Sequence, residues 1–323
     1  MLLRRFIQAA LCACALALAQ GAPAQGNWPD RPLRLVVPFP PGGSTDIIGR
    51  VVADRLARAL GQPVVVENRP GANGNIGTEA VARAAPDGLT LVLGGAANTI
   101  NATLYRNLPF DLLKDLQAVA VIGITPNMMV VPNDSPARTA QEFLAWAKAQ
   151  PSGVLYASSG NGASTHMAAE LFKSVTGLAM SHVPYKGSAP ALTDLIAGRT
   201  QVMFDNMTSA LQQVKAGRLR ALALTGSTRN PAVPELPTLK ELGIAVEAET
   251  WFGLFVPAGT PPAVVERLNR EVRGIVVQPE VKARLTEFGA ELRDWDAAQV
   301  QAFTASEVRK WARVVEASGA KVD

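Results

Sequence analysis

The chain has 323 residues, 48% of them apolar and 18% charged, with 27 glycines and 23 prolines. That composition supports a large core and excludes both a disordered chain and a small disulfide-stapled domain. The net charge of +4 falls to +2 once Arg4 and Arg5 are removed with the leader described next, too little to indicate a nucleic-acid-binding surface.

Arg4 and Arg5 form a basic start, and residues 6–19 are a predominantly apolar run of 14 residues. A spanning helix needs about 20 apolar residues, so this run reads as a secretory leader. Ala22-Pro23-Ala24 offers small residues at both positions of an A-x-A cleavage site, which places the leader at 1–24 and the mature start near Gln25. The mature chain then contains no cysteine and is expected to be exported. Cys12 or Cys14 as a lipoprotein anchor is the alternative, but the residues before each fit poorly.

Beyond the leader, strand and helix patterns alternate. Residues 33–37 read as a strand, followed by a helix with Ile48, Val52, Leu56 and Ala59 on one face and a stop at Gly61. A second strand at 64–66, a short helix over 76–84 and a third strand at 89–93 complete one unit. The pattern restarts with a strand at 154–157, a helix over 164–176, strands at 180–183 and 202–204, a helical stretch at 192–197 and a strand at 221–224. Such alternation predicts α/β architecture, each domain a mainly parallel sheet flanked by helices. The apolar stretches 118–131 and 251–256 flank the second unit and are candidates for two crossing segments that form a hinge. The division expected is 25–126 with 250–323 as a discontinuous first domain and 127–249 as the second, with a ligand cleft between them.

Both units have a polar, glycine-containing loop between strand and helix. Phe39-Pro40-Pro41-Gly42-Gly43-Ser44-Thr45-Asp46 occupies that place in the first and Ser158-Ser159-Gly160-Asn161-Gly162-Ala163-Ser164-Thr165 in the second. Ligands of open α/β sheets sit beyond the carboxyl ends of strands, and free amides at a helix start suit an anion. Neither loop contains Lys or Arg, so the pattern points to a carboxylate held by amides and hydroxyls. The plainer reading is that Ser44, Thr45, Asp46, Ser164 and Thr165 are helix caps. Asp46 would either cap its helix or meet an amine on the ligand.

Other patterns carry less. Gly71-Ala72-Asn73-Gly74-Asn75-Ile76-Gly77 resembles a dinucleotide fingerprint, but its first two glycines are three apart instead of two, and a packing loop fits better. His166 and Glu170 share a helix face without a third metal ligand. There is no GxSxG turn for a hydrolase nucleophile. Tyr185, Lys186 and Asp205 follow strands that end toward the presumed cleft.

These residues resemble the substrate-binding proteins of tripartite tricarboxylate transporters, also called Bug proteins. The likeness rests on Val36 through Asp46, Val66-Glu67-Asn68-Arg69-Pro70-Gly71-Ala72-Asn73-Gly74, Ala84-Ala85-Pro86-Asp87-Gly88 and Ser159 through His166. It continues in His182-Val183-Pro184-Tyr185-Lys186-Gly187, Phe204-Asp205-Asn206 and Trp251 through Pro261. Asn73-Gly74-Asn75 departs from the commoner Gly-Gly-Asn. The resemblance implies a two-domain periplasmic binding protein of type II-like fold, monomeric and without cofactor or metal. It would capture a small carboxylated metabolite (a dicarboxylate, amino acid or aromatic acid) and deliver it to membrane permease subunits. Carried onto this chain, the implied ligand-binding residues are Phe39, Gly42, Gly43, Ser44, Thr45 and Asp46 in the first loop. Those in the second are Ser158, Ser159, Asn161, Gly162, Ser164, Thr165 and His166, joined by Asn98, Tyr185 and Asp205. A periplasmic sensor of the same fold that signals to a membrane kinase is the alternative, and an exported α/β enzyme a remote one.

Overall fold

Strand β1 (Leu33–Val37) holds Leu33, Leu35, Val36 and Val37 at no more than 1% exposure. A strand buried on both faces needs helices on both sides, which is why its apolar residues run on instead of alternating. In the computed structural model, which describes residues 28–287, 289–318 and 320, β1 is the middle of three parallel strands, between β2 (Val64–Asn68) and β3 (Thr90–Gly95). The leader read over 1–24, with Cys12, Cys14 and the cleavage site, lies outside the described residues. Helix α1 (Ser44–Leu60) joins β1 to β2 and ends at Gly61, whose left-handed backbone closes the last turn. Helix α2 (Asn75–Ala82) joins β2 to β3, and α3 (Ala96–Leu104) follows β3 directly.

The second half repeats this arrangement. Strands β5 (Val154–Ser158), β6 (Met180–Pro184) and β7 (Val202–Asn206) are parallel, with β5 between the other two. Helix α4 (Ala140–Lys148) precedes β5. Helix α5 (Ser164–Thr176) joins β5 to β6, α6 (Ser188–Ile196) joins β6 to β7, and α7 (Met207–Lys215) leads from β7 to β8 (Leu219–Leu224).

Two strands tie the halves together. Strand β4 (Leu116–Pro132) is 17 residues long and nearly all buried. From Leu116 to Pro126 it pairs with β9 (Glu249–Pro257), and from Asn127 onward with β7 and β8. Strand β9 also pairs with β3, so the order is β2-β1-β3-β9-β4-β7-β5-β6, with β8 also on β4. Parallel pairing is confined to the three outer strands of each half. The pairs made by β4 and β9 are antiparallel because these segments carry the chain out of one half and back in opposite directions.

The chain closes with α8 (Pro262–Val276), α9 (Pro279–Glu287) and α10 (Ala297–Ser318). Helix α8 packs Val265, Leu268, Val272 and Ile275 into the core of the first half, beside Ile48, Val52 and Leu56 of α1. Helix α10 belongs to both halves. Its Val300 lies with Phe110, Leu116 and Trp251 of the first, whereas Trp311 and Val315 lie with Phe143, Tyr156 and Phe172 of the second. Ile100 and Leu104 of α3 join that second cluster, so α3 also packs on both halves. No helix among the described residues is long and apolar enough to cross a membrane.

Candidate functional site

Between the two halves lies a cavity enclosing about 620 Å³ of empty space, its open mouth included. Five helices begin at its wall. Gly43, Ser44 and Thr45 come from the start of α1, Gly95, Ala96 and Ala97 from α3, Ala163 and Ser164 from α5, Gly187, Ser188 and Ala189 from α6, and Asn206 from the start of α7. Phe39, Pro40, Ser159, Thr250, Trp251 and Phe252 fill in the remaining wall. The first turn of a helix leaves amide N–H groups without intrahelical partners. At α1, α5, α6 and α7 the N-cap residue makes no side-chain bond to them. Lys186 is the one charged residue lining the cavity among the described residues, and it forms no ion pair among them.

The capping reading of the serines does not hold. The N-cap positions are Gly43 and Ala163, and Ser44 and Ser164 sit one residue further in. Ser44 Oγ donates to Ser209 Oγ of the opposite half at 3.1 Å, and Ser164 Oγ donates to Asn206 Oδ1 at 3.0 Å. Of the loop residues expected at the site, Phe39, Gly43, Ser44, Thr45, Ser159 and Ser164 line the cavity.

The other expected residues stand behind the wall, each for a visible reason. Asp46 accepts from the Gly42 amide at 3.0 Å, from Asn68 Nδ2 at 2.9 Å and from Arg50 Nε at 3.0 Å, which spends its carboxylate on bracing the loop. Burial alone would raise its pKa, but the bonds from Arg50, Gly42 and Asn68 outweigh this and hold it below the usual carboxylate value. Gly42, on the outer side of the loop, supplies that amide. Asn98 is 2% exposed; it accepts the Gly95 amide at 2.9 Å and donates to Thr78 Oγ1 at 2.8 Å, so it shapes the turn and does not face the cavity. Gly95 itself must be glycine, because a β-carbon there would lie 1.8 Å from the Trp251 carbonyl.

In the second loop Thr165 Oγ1 is turned back onto Ser159, accepting its amide at 2.9 Å. Ser158 Oγ lies 2.6 Å from His182 Nε2, and His166 Nδ1 accepts the Gly162 amide at 3.1 Å. The two imidazoles stack with centroids 4.0 Å apart, and Tyr156 stacks on His182 at 4.8 Å. Burial lowers the pKa of both, His182 to about 3 with His166 adding to the effect, so both rings are neutral. Glu170, which shares a helix face with His166, takes the Tyr156 hydroxyl. Gly162 has φ +76° and is packed so closely that a β-carbon would lie 2.2 Å from Leu104. Asn161 is exposed and lines no part of the cavity.

Tyr185 lines a second, more apolar groove that shares Phe39, Pro40, Ser159, Lys186 and Gly187 with the cavity, and its hydroxyl donates to Asp194 at 2.8 Å. Asp205 is fully buried behind the wall. Ser188 Oγ donates to its Oδ1 at 2.6 Å and Ser209 Oγ to its Oδ2 at 2.5 Å. Burial raises its pKa to about 6 against the lowering effect of those two hydroxyls and of the Asn206 amide, which also donates to it. Gly95, Ala96, Ser188, Asn206 and Thr250 were not singled out from sequence. All but Thr250 sit where a strand gives way to a helix start, the signal already used for the two serine loops.

Two α/β lobes joined by crossing strands and enclosing such a cavity make this the fold of the periplasmic binding proteins. The chain belongs to the tripartite tricarboxylate transporter receptor family: residues 48–320 match the family described as "Tripartite tricarboxylate transporter family receptor". Protein BugT of Bordetella pertussis is 38% identical over 299 residues, 92% of each chain. Among solved structures, R. palustris Rpa4515 with adipate is 35% identical with a TM-score of 0.88, covering 91% of this chain and all (100%) of that one. MatC (Rpa3494) from Rhodopseudomonas palustris with bound malate is 31% identical with a TM-score of 0.84, covering 89% of this chain and 100% of that one.

Proposed function

We propose that this protein captures a small carboxylated metabolite between its two lobes in the periplasm and hands it to the permease subunits of a tripartite tricarboxylate transporter. The observation that carries this reading is the convergence of five helix amino ends on one cavity that contains a lysine and, among the described residues, no acidic side chain. Each helix end presents the positive pole of its dipole, and those of α1, α5, α6 and α7 lack a capping N-cap side chain, a combination that an anion satisfies. The adipate and malate held by the two relatives support a carboxylate as that anion. Ser44, Thr45, Ser159 and Ser164, with the amides beside them, are the groups proposed to hold it.

Binding without turnover is the proposed activity, with closure of the lobes about 126/127, where β4 changes partners, and 249/250, where β9 begins. Differential affinity of the ligand for the closed form drives that shift. A thermal-shift panel of adipate, malate, tricarboxylates, acidic amino acids and aromatic acids tests the reading. A ligand at a hundred times its Kd adds about 2.7 kcal/mol and raises the melt visibly. Ser164→Ala should reduce the shift. A panel without response from a chain shown by mass spectrometry to be ligand-free, or chemical conversion of a bound acid, sinks the proposal. Membrane vesicles containing the permease, which should take up the acid only when this protein is added, test the delivery step.

A further inference from the structure

We infer that the cavity takes up its anion together with a proton, and that Asp205 is the group that receives the proton. This rests on the reading of the cavity as a carboxylate site. Ser44 and Ser188 line the wall, yet the protons of their hydroxyls point away from it. Ser188 donates to Asp205 Oδ1, while Ser44 donates to Ser209, which in turn donates to Asp205 Oδ2. While Asp205 is ionised, both wall hydroxyls therefore offer only lone pairs to the cavity. An anion is repelled by those oxygens and by the buried charge behind them.

Protonation reverses the direction of one chain or the other. With the proton on Oδ1, the carboxyl donates to Ser188 Oγ and frees the Ser188 hydroxyl proton to turn toward the cavity. With the proton on Oδ2, it donates to Ser209 Oγ; Ser209 then donates either to the Asn206 carbonyl or to Ser44 Oγ, each 3.1 Å away, and in the second case the Ser44 proton turns toward the cavity. One proton taken from solvent thus cancels a buried charge and converts a wall acceptor into a donor aimed at the ligand. The carboxyl is already held near pH 6 by burial, and a second anion close by keeps it protonated well above neutrality.

Glu249, next to the cavity-lining Thr250, is another carboxyl whose pKa burial raises, but no hydrogen bond among the described residues links it to Ser44 or Ser188. On the elements packed around β7, Asp194 of α6 is bound to Tyr185 and Arg199, and Glu170 of α5 to Tyr156 and Lys173. Asp46 and Arg50 of α1 are bound to each other, and Asp54, Arg55 and Arg58 further along α1 pair among themselves and with Glu280. Lys215 pairs with Glu287 at the far end of α7, and Arg220 of β8 donates to the carbonyls of Asn133, Ser135 and Ala137. His166 and His182 stack with Tyr156, and strands β4 and β5 carry no charged side chain. Lys186 lines the cavity itself and is already charged.

Calorimetric titration with adipate and with malate, in buffers of different ionisation heat between pH 6 and 8.5, is the test. The expected result is uptake of about one proton per ligand near pH 7.5 and a Kd that weakens about tenfold per pH unit above neutrality. In Asp205→Asn the uptake disappears and the pH profile flattens. Binding without proton uptake by the unaltered protein, or uptake unchanged in Asp205→Asn, overturns the inference and leaves the carboxylate reading standing. Failure of every carboxylate to bind overturns both. If Asp205→Asn does not fold, infrared difference spectra of the unaltered protein decide. A protonated-carboxyl band that appears on adipate binding at pH 7.5 and moves with carbon-13 labelling of aspartate supports the inference, and its absence refutes it.

Discussion

Around Ser44 the backbone is fastened by an ionised carboxylate, with Asp46 bonded to Gly42, Asn68 and Arg50. Around Ser164 it is fastened by two stacked imidazoles, His166 accepting from Gly162 and His182 engaging Ser158. Both braces do the same work, holding a loop so that its helix start faces the cavity. They differ in what they require of the surroundings. The Asp46 brace reaches the surface, where the Arg50 side chain is 54% exposed, and depends on charge. The histidine brace is enclosed and depends on the absence of charge, because a protonated His166 could no longer accept at Nδ1. Two loops of similar sequence therefore respond to acid in different ranges and tolerate substitution differently.

The largest expected effect is at Gly162. A valine there meets Leu104 and forces a left-handed backbone on a branched residue, and together these should cost roughly 3 kcal/mol or more. Urea unfolding measures it, and a loss below about 1 kcal/mol would show that the second loop is not closely packed. Asp46→Ala comes next, at about 2 kcal/mol, since it strands the Gly42 amide and Asn68. Asp46→Asn keeps an acceptor without the charge and should lose nearly as much; full recovery by Asn would contradict the charge-based brace.

The pH response sharpens the contrast. His182 has a lowered pKa in the fold, so its contribution is complete above the unfolded value of 6.5 and is lost as pH falls from there toward about 3. Asp46 likewise contributes above 3.8 but is lost only below that value, at its depressed pKa. Asp205 has the opposite sign: its pKa of about 6 lies above the unfolded 3.8, so stability rises as pH falls through 6. The histidine effect is therefore read as a difference between the unaltered protein and His182→Gln. That difference should shrink by about 1 kcal/mol between pH 6.5 and 5, and a constant difference would count against the histidine brace. The smallest effect expected on stability is at Gly43. Its added β-carbon meets only the Pro40 carbonyl, at 3.9 Å, so Gly43→Ala should stay within about 0.5 kcal/mol of the unaltered protein. The same variant narrows the cavity and should weaken the thermal shift given by adipate, and an unchanged shift would place the ligand away from α1.

Much of this fold could be read from sequence because its strands are short apolar runs set between proline and glycine turns, as in Leu33–Val37. Helix α3 escaped because polar residues interrupt its buried side, between Ala96, Ile100 and Leu104. Asn98, Thr99 and Asn101 are at most 2% exposed, and Asn101 is satisfied by Asn73 and Asn75, which erases the apolar periodicity. At the site, serines after glycine-rich loops were conspicuous, whereas Ser188 and Asn206 follow loops with little glycine. Asp205 was read as a ligand contact because it ends a strand. Side chains alternate faces along a strand, and it is the next residue, Asn206, that lines the cavity.

Helix α10 adds a third tie between lobes that β4 and β9 already join. With Val300 seated on one side and Trp311 and Val315 on the other, widening the cleft means dragging an indole across Ile100 and Leu104 or bending the helix between them. On the proposed binding reading, the residence time of a bound solute would then depend on repacking around Trp311, and Trp311→Ala should change the rate of release.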